Sequence, residues 1–197
     1  MSEQDKEKWD TRYRAGAYAD RKHASDYLKV ALEQIGPVPE TARALDLACG
    51  AGRNTLYLAS KGYEVDAVDV SQVALQRAQQ SALASGTQGI NWIEHDLDDP
   101  LPGQYCDYDL IIMMRYLDLA LLESMATRLS PGGYLVCEVH LQTDEAVAGP
   151  KSADFRAAPG ELLTAVSGLE VEDYFEGLVS DPDGKIVSLA RVLARNS

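Results

Sequence analysis

The sequence predicts a doubly wound α/β domain, in which a mostly parallel seven-stranded sheet carries helices on both faces and ends in an antiparallel hairpin. Short apolar runs alternate with helical patterns along most of the chain, as in sheets of parallel strands joined by helices. A Gly-rich turn follows the first apolar run. The last two predicted strands are separated only by the turn sequence DPDG (181–184), so we expect them to pair as a hairpin.

The elements follow one another in a regular order. A helix over 3–14 starts at a capping-box pattern formed by Ser2 and Asp5, and a second helix covers about 23–35. The predicted strands are 42–47, 63–68, 90–94, 108–114, 134–140, 169–177 and 185–194. The helices predicted between them are 53–61, 71–84, 118–129 and a last one from about 159 to 168. The run 108–114 is apolar apart from Asp109, which indicates a strand that is buried on both faces.

Composition excludes several classes of function. The chain has 197 residues and a net charge of −13, and it has no cluster of Lys or Arg. We therefore expect neither a nucleic-acid partner nor docking on anionic lipid. The three cysteines, Cys49, Cys106 and Cys137, form no CxxC pair, so we expect reduced thiols, no metal site and a cytoplasmic location.

Domain organisation follows from the same patterns. We expect a single domain over 1–197, because the chain shows no internal repeat and no low-complexity segment. Within it, residues 1–36 are expected to form a helical cap and residues 40–197 the core that contains the sheet. The N-terminus has no apolar leader and no apolar run reaches 18 residues, so we expect no membrane segment. The sequence leaves open whether the protein is a monomer or a homodimer.

The strongest chemical feature is the segment DLACGAGRN, residues 46–54. An apolar strand leads into a turn with Gly50 and Gly52, where the backbone can approach a ligand closely. Asp46 lies in this turn region, where a carboxylate can accept loop N–H groups or bind an ammonium group, but would repel a pyrophosphate. Thr55 takes the place of the third glycine in the dinucleotide fingerprint GxGxxG, which makes a poor NAD site. Alternatively, Asp46 only braces a tight turn.

Acidic residues also follow the second and third predicted strands. Asp69 ends the second strand, 17 residues after Gly52, where an acid can receive both hydroxyls of a ribose. Alternatively, Asp69 helps to cap the next helix. After the third strand, Asp96 is placed to accept from an adenine amino group while Leu97 covers the ring. The alternative is a solvated acidic loop.

Together these motifs resemble those of the class I S-adenosylmethionine-dependent methyltransferases. Four features are similar to those of the family: the first motif at 46–52, the second-strand acid Asp69, the adenine-contacting pair Asp96 and Leu97, and the segment LSPGGYL (129–135) that enters strand five. The resemblance covers about residues 40–140. It implies a Rossmann-like methyltransferase fold, S-adenosyl-L-methionine as cofactor, and methyl transfer to an acceptor.

The resemblance also implies which residues hold the cofactor. They are Trp9, Arg14, Asp46, Ala48, Gly50, Gly52, Asn54, Asp69, Val70, Asp96, Leu97 and Met114. The segments WDTRY (9–13) and FRAAPGELL (155–163) resemble small-molecule methyltransferases of the tellurite-resistance and thiopurine type, in which the N-terminal segment covers the cofactor. This likeness places Trp9 and Arg14 beside the cofactor. Alternatively, Trp9 and Tyr13 only pin their helix to the core.

The acceptor is expected beyond the fourth and fifth strands, because ligands of open α/β sheets bind outside the carboxyl ends of the strands. The candidate catalytic residues there are Arg115, Tyr116 and His140. Arg115 is suited to hold an anion or the carboxylate of the cofactor, and His140 to act as a base near neutral pH. Alternatively, Arg115 forms a salt bridge with a nearby acid and His140 is a satisfied strand-end residue. Weaker candidates are Arg53, Arg156 and Tyr13.

The kind of acceptor is only partly specified. The segment MMRYLD (113–118) lacks the Asn/Asp-Pro-Pro-Tyr/Phe signature of methyltransferases that act on nucleobases or protein amides. With the acidic charge, this favours a small-molecule acceptor such as a thiol, a chalcogen oxyanion or a small carboxylate. The leading hypothesis is therefore a small-molecule methyltransferase. A non-catalytic module that binds the cofactor is the alternative, and a nucleotide-binding oxidoreductase is the third.

Overall fold

The structure is a computed structural model that describes residues 3–181 and 183–197. Its helices are α1 (Glu3–Arg14), α2 (Asp26–Ile35), α3 (Arg53–Ser60), α4 (Gln72–Ser85), α5 (Leu119–Ser124) and α6 (Glu161–Ala165). Its strands are β1 (Arg43–Leu47), β2 (Glu64–Asp69), β3 (Ile90–Glu94), β4 (Tyr108–Met114), β5 (Leu129–His140), β6 (Glu170–Ser180) and β7 (Ile186–Arg195). They form one sheet in the order β3-β2-β1-β4-β5-β7-β6. The predicted doubly wound fold is confirmed.

Strand direction also agrees with the prediction. β1 to β5 pair in parallel, and β6 and β7 pair with each other antiparallel as a hairpin. β7 lies antiparallel to β5, from Tyr134 opposite Arg195 to His140 opposite Leu189. The strand order reverses between β1 and β4, and the crevice of such a sheet opens at this reversal. The ends of β1 and β4 therefore face the expected ligand site.

The core lies on both faces of the sheet. Along β4, Ile111 and Met113 belong to one apolar cluster and Leu110 and Ile112 to the other, and all four are fully buried. This alternation follows from the period of two in a strand. The apolar run was predicted to be buried on both faces, and that is confirmed. Among the described residues, no helix combines the length and the apolar character that a membrane crossing would require.

The largest difference from the prediction lies before strand five. A helix was predicted through Leu129, but α5 ends at Ser124 and a 3₁₀ segment, Met125–Arg128, follows. β5 then begins at Leu129 and includes the Pro-Gly-Gly segment that was predicted to lie outside it. A Cβ on Gly133 would lie only 2.6 Å from the Tyr108 carbonyl oxygen, so glycine lets the two backbones run side by side.

The ends of the chain differ in smaller ways. α1 covers the predicted residues 3–14, but Ser2 of the predicted capping box lies outside the described residues. α2 begins at Asp26 rather than near residue 23. Pro182, in the predicted hairpin turn, also lies outside the described residues. The division into a cap over 1–36 and a core over 40–197 stays a prediction.

Candidate cofactor and acceptor site

The turn after β1 has an unusual backbone. Ala48, Gly50 and Gly52 have φ values of 55°, 56° and 79°, in the left-handed region that glycine adopts without steric cost. A Cβ on Gly50 would lie 2.5 Å from Tyr13 Oη, and a Cβ on Gly52 would lie 2.8 Å from Ala78 Cβ. Both glycines are therefore required by packing as well as by backbone conformation.

Asp46 lies inside β1 and not in the turn where the sequence suggested it. Its side chain is 1% exposed, and Oδ2 accepts a hydrogen bond from Thr55 Oγ1 at 2.5 Å. Burial raises the pKa of the Asp46 carboxyl to about 7, although the hydrogen bonds from Thr55 oppose the shift. Thr55, at the third position of the dinucleotide fingerprint, therefore holds this acid in place.

The pH dependence of stability is expected to change in Asp46→Asn. Because the folded-state pKa lies above the ordinary aspartate value of 3.8, the stability contributed by Asp46 is fully present below pH 3.8 and is lost as pH rises through about 7. Between these values the loss is about 1.4 kcal/mol per pH unit. Urea unfolding of both proteins from pH 4 to 8 measures the difference. Parallel pH profiles would contradict the shifted carboxyl, since all other groups titrate in both proteins.

Asp69 ends β2, as predicted, and its carboxylate joins two segments. Oδ2 accepts from the Gly50 N–H at 2.7 Å and Oδ1 accepts from the Ser71 N–H at 2.8 Å. The residue is 8% exposed, and burial raises its pKa while the two N–H groups lower it. Asp69 thus braces both the glycine turn and the start of α4. Each oxygen retains a lone pair with which to accept a ligand hydroxyl.

The residues after β3 and β4 face the same region. Asp96 accepts from the Asp98 N–H at 3.0 Å, and Leu97 is buried. Tyr116 is half-buried, and burial, followed by nearby carboxylates that include Asp96 and Asp69, raises its pKa to about 12. Its phenol is therefore a proton donor at neutral pH. Two further predicted cofactor residues at the strand ends, Val70 and Met114, are each 7% exposed.

Helix α1 lies over the glycine turn. Tyr13 is the α1 side chain found against Gly50. Asp10 Oδ1 accepts from Ser71 Oγ at 2.6 Å, and Arg77 on α4 donates to the Tyr13 carbonyl at 3.3 Å. Sequence reasoning did not assign Asp10. It is one of several acids on a highly charged helix, and only the structure shows that it is buried.

The two α1 residues that the resemblance implies for the cofactor, Trp9 and Arg14, contact other residues of their own helix. Arg14 is exposed and lies 3.5 Å from Asp10. Trp9 is half-buried, with its ring 6.3 Å from that of Tyr13 and 4.8 Å from the Arg12 guanidinium. Their contact with a cofactor stays a prediction. The alternative, in which Trp9 and Tyr13 pin the helix, describes the contacts that are present.

Asn54 is engaged by the protein itself. Its Oδ1 accepts from the Ser25 N–H at 2.9 Å, immediately before α2. Ser25 Oγ in turn donates to Glu138 Oε1 at 3.2 Å. Asn54 therefore ties α3 to the start of α2. This contact leaves its Nδ2 amino group as the donor available to a ligand.

A charged cluster lies at the carboxyl ends of β4 and β5. Glu138 is 1% exposed and accepts from Arg115 Nε at 2.7 Å and from Arg191 Nε at 2.8 Å. Arg115 Nη2 donates to Asp181 Oδ1, in the β6–β7 turn, at 2.7 Å. The structure therefore contains the salt bridges with nearby acids that were the alternative interpretation of Arg115. Sequence reasoning missed Glu138, although an acid within the apolar strand LVCEVH (135–140) was a usable signal.

His140 ends β5 with a perturbed ring. Burial, followed by the charges of Arg115 and Arg156, lowers its pKa to about 4. The imidazole is therefore neutral at pH 7 and is a weaker base than an unperturbed histidine. Its Nδ1 is buried and has no hydrogen-bond partner among the described residues.

Comparison with known proteins agrees with this geometry. Residues 44–133, which contain the glycine turn, Asp69 and Asp96, match a family described as a methyltransferase domain. This match supports the resemblance of residues 44–133 to the class I S-adenosylmethionine-dependent methyltransferases.

Sequence relatives cover part of this chain. YqeM of Bacillus subtilis, whose name assigns it provisionally as a methyltransferase, is 33% identical over 112 residues, or 52% of this chain and 44% of YqeM. A ubiquinone biosynthesis O-methyltransferase of Xanthomonas axonopodis pv. citri is 28% identical over 128 residues, or 62% of this chain and 51% of that protein. The chain thus spans about half the length of the curated relatives it matches.

Solved structures match its fold more completely. TehB from Haemophilus influenzae has a TM-score of 0.69 and 24% identity, covering 87% of this chain and 62% of TehB. A structure titled for the conversion of a disulfide bond into a thioacetal group during echinomycin biosynthesis has a TM-score of 0.69 and 20% identity, covering 96% and 91%. At these identities the likeness concerns the fold. The narrower resemblance to the tellurite-resistance branch is matched by TehB at that level.

Proposed function

We propose that this methyltransferase transfers a methyl group from S-adenosyl-L-methionine to a small-molecule acceptor. The observation that carries the proposal is the 2.7 Å hydrogen bond between Asp69 and the Gly50 N–H. This bond holds an acid beside a glycine turn, at the point where the strand order reverses. A ribose acid next to a backbone that a ligand can approach is the arrangement that a nucleoside cofactor requires.

The charges of the site suit this cofactor. S-adenosyl-L-methionine carries a positive sulfonium and a positive ammonium group. Acids stand at or after the ends of β1, β2 and β3, namely Asp46, Asp69 and Asp96. Because a pyrophosphate would be repelled by the same acids, a dinucleotide is disfavoured. When bound, the cofactor supplies an electrophilic methyl group.

The remaining residues align the reactants and exclude water. An in-line displacement needs a nucleophile held close to the methyl carbon in a shielded site. Tyr13, on α1, covers the glycine turn. Tyr116, which follows β4, lies near the carboxylates of Asp96 and Asp69. Arg115 and His140 lie at the ends of β4 and β5, opposite the acids of β1 to β3, and are assigned to the acceptor. The net charge of −13 supports a small acceptor over a nucleic acid.

Asp69→Ala tests the proposal through cofactor affinity. Hydrogen bonds to a charged group contribute about 1.5–3 kcal/mol, so S-adenosylhomocysteine should bind at least about tenfold more weakly. Isothermal titration calorimetry measures the affinity, and thermal unfolding shows whether the variant is folded. Asp99→Ala, which removes an exposed acid from the loop after β3, is the matched control. Unchanged binding by a folded Asp69→Ala protein would refute the ribose assignment.

A second candidate function is a non-catalytic module that binds the cofactor. It is favoured by the pKa of about 4 at His140 and by the engagement of Arg115 with Glu138 and Asp181. Time-dependent conversion of S-adenosylmethionine to S-adenosylhomocysteine with a panel of acceptors separates the two. Cofactor binding without turnover on any acceptor would favour the module.

A further inference from the structure

We infer that Arg115 binds an anionic oxygen group of the acceptor through its Nη1, and that Asp181 tunes the affinity by competing for the same guanidinium. The inference rests on the proposed function, because it names the chemical class of the acceptor for that site. The group is a carboxylate or another oxyanion.

The first observation is the state of the Arg115 side chain. It is 13% exposed, and its Nε and Nη2 are used by Glu138 and Asp181. Nη1 is buried and has no partner among the described residues. A buried N–H without an acceptor is costly, and a charged guanidinium N–H forms its strongest hydrogen bonds with anionic oxygens. The missing acceptor is therefore best supplied by an anionic ligand.

The second observation is that several further guanidinium groups lie near Arg115 and its partner Asp181. Arg21 lies 3.9 Å from Asp181. Among the described residues, the guanidiniums of Arg53 and Arg156 have neutral carbonyl oxygens as their hydrogen-bond acceptors. Like charge at Arg115 and Arg21 adds to burial in lowering the pKa of Arg53. In a chain with a net charge of −13, this local group of arginines favours an anionic ligand over a cationic one.

The third observation concerns His140. A Cβ on Gly149 would lie 2.9 Å from His140 Nδ1 and 3.4 Å from Arg156 Nη2, so both side chains border this glycine. The charges of Arg115 and Arg156 help to keep the imidazole neutral. An anion bound at Arg115 offsets those charges and makes His140 a stronger base. Binding of the acceptor and activation of the base are then linked.

Asp181 competes with an incoming anion for the positive charge of Arg115. Its side chain is 10% exposed, and its Oδ1 accepts from Arg115 Nη2. Asp181→Asn removes the negative charge that opposes an incoming anion and leaves Arg115 and Arg21 less neutralised. This variant should therefore bind an anion more tightly than the wild-type protein does.

The experiment compares the binding of benzoate, benzamide and inorganic phosphate by isothermal titration, with and without S-adenosylhomocysteine. The proteins are wild type, Arg115→Gln, Asp181→Asn and the control Arg195→Gln. Arg195 is exposed and pairs with Tyr134, at the opposite end of β5 from His140. Benzoate and benzamide have nearly the same shape and differ in charge, and phosphate tests an inorganic source of the same chemistry.

At least one anion should bind to wild type and Arg195→Gln with equal affinity. Arg115→Gln should weaken it at least about tenfold, because a hydrogen bond to a charged group is lost. Benzamide should bind at least about tenfold more weakly than benzoate if the organic anion is the ligand. Asp181→Asn should bind the anion several-fold more tightly.

Three results would overturn the inference: neither anion binds to wild type, Arg115→Gln binds the anion as well as wild type does, or benzoate binds but benzamide binds just as tightly. If Arg115→Gln does not fold, the Asp181→Asn variant decides the matter. Anion affinity in Asp181→Asn that is equal to or weaker than that of wild type would refute the inference. Failure of the proposed function would appear separately, as loss of S-adenosylhomocysteine binding to wild type. The titrations without that ligand remain interpretable in that case.

Discussion

Gly50→Val is expected to abolish cofactor binding. Gly50 has a φ of 56°, a region in which a β-branched residue is a genuine outlier. A Cβ there would also lie 2.5 Å from Tyr13 Oη, so the side chain would push α1 away from the turn. The strained turn and the displaced helix would then no longer form the proposed cofactor site. Titration with S-adenosylhomocysteine should then show no binding.

A second variant separates the fold from the binding surface. In Gly50→Ala/Tyr13→Phe the 2.5 Å contact with the hydroxyl is removed, and the next Tyr13 atom, Cζ, lies at 3.6 Å. This protein should be more stable than Gly50→Ala alone and should still bind the cofactor poorly. A folded Gly50→Val protein with wild-type affinity would show that the turn is not the cofactor cradle.

Glu138→Ala is expected to cause a large loss of stability. Glu138 is 1% exposed and is the shared partner of Arg115 and Arg191. Its removal leaves two largely buried guanidiniums facing each other, and it also removes the acceptor of Ser25 Oγ. Breaking a buried pair in this way costs about 3–5 kcal/mol. This is a large fraction of the roughly 5–15 kcal/mol that stabilises a typical protein.

Urea unfolding measures the loss, with Glu172→Ala as the matched control. Glu172 is exposed on β6, so its removal should change the free energy of unfolding by less than about 0.5 kcal/mol. Glu138→Gln keeps one acceptor oxygen without the charge and should fall between the control and Glu138→Ala. If Glu138→Ala were as stable as the control, the cluster would contribute nothing to folding.

Local patterns were sufficient to predict the order of the elements. The apolar run of β4 and the alternating faces of its residues follow from hydrophobicity and strand period alone. The position of Asp69 at the end of β2 was also predicted, because a strand and a glycine turn are both visible in neighbouring residues. The start of β5 was missed, since it depends on the contact between Gly133 and the Tyr108 carbonyl.

The candidate site divides in the same way. The sequence by itself determined the glycine turn and the acids near the ends of β1, β2 and β3, because these are spaced along short segments. Only the tertiary structure decided that Tyr13 covers Gly50 and that Glu138 lies between Arg115 and Arg191. Those partners are far apart in the chain, and their hydrogen bonds depend on the order of strands in the sheet. Charge and burial together, rather than residue type, set the protonation of such groups.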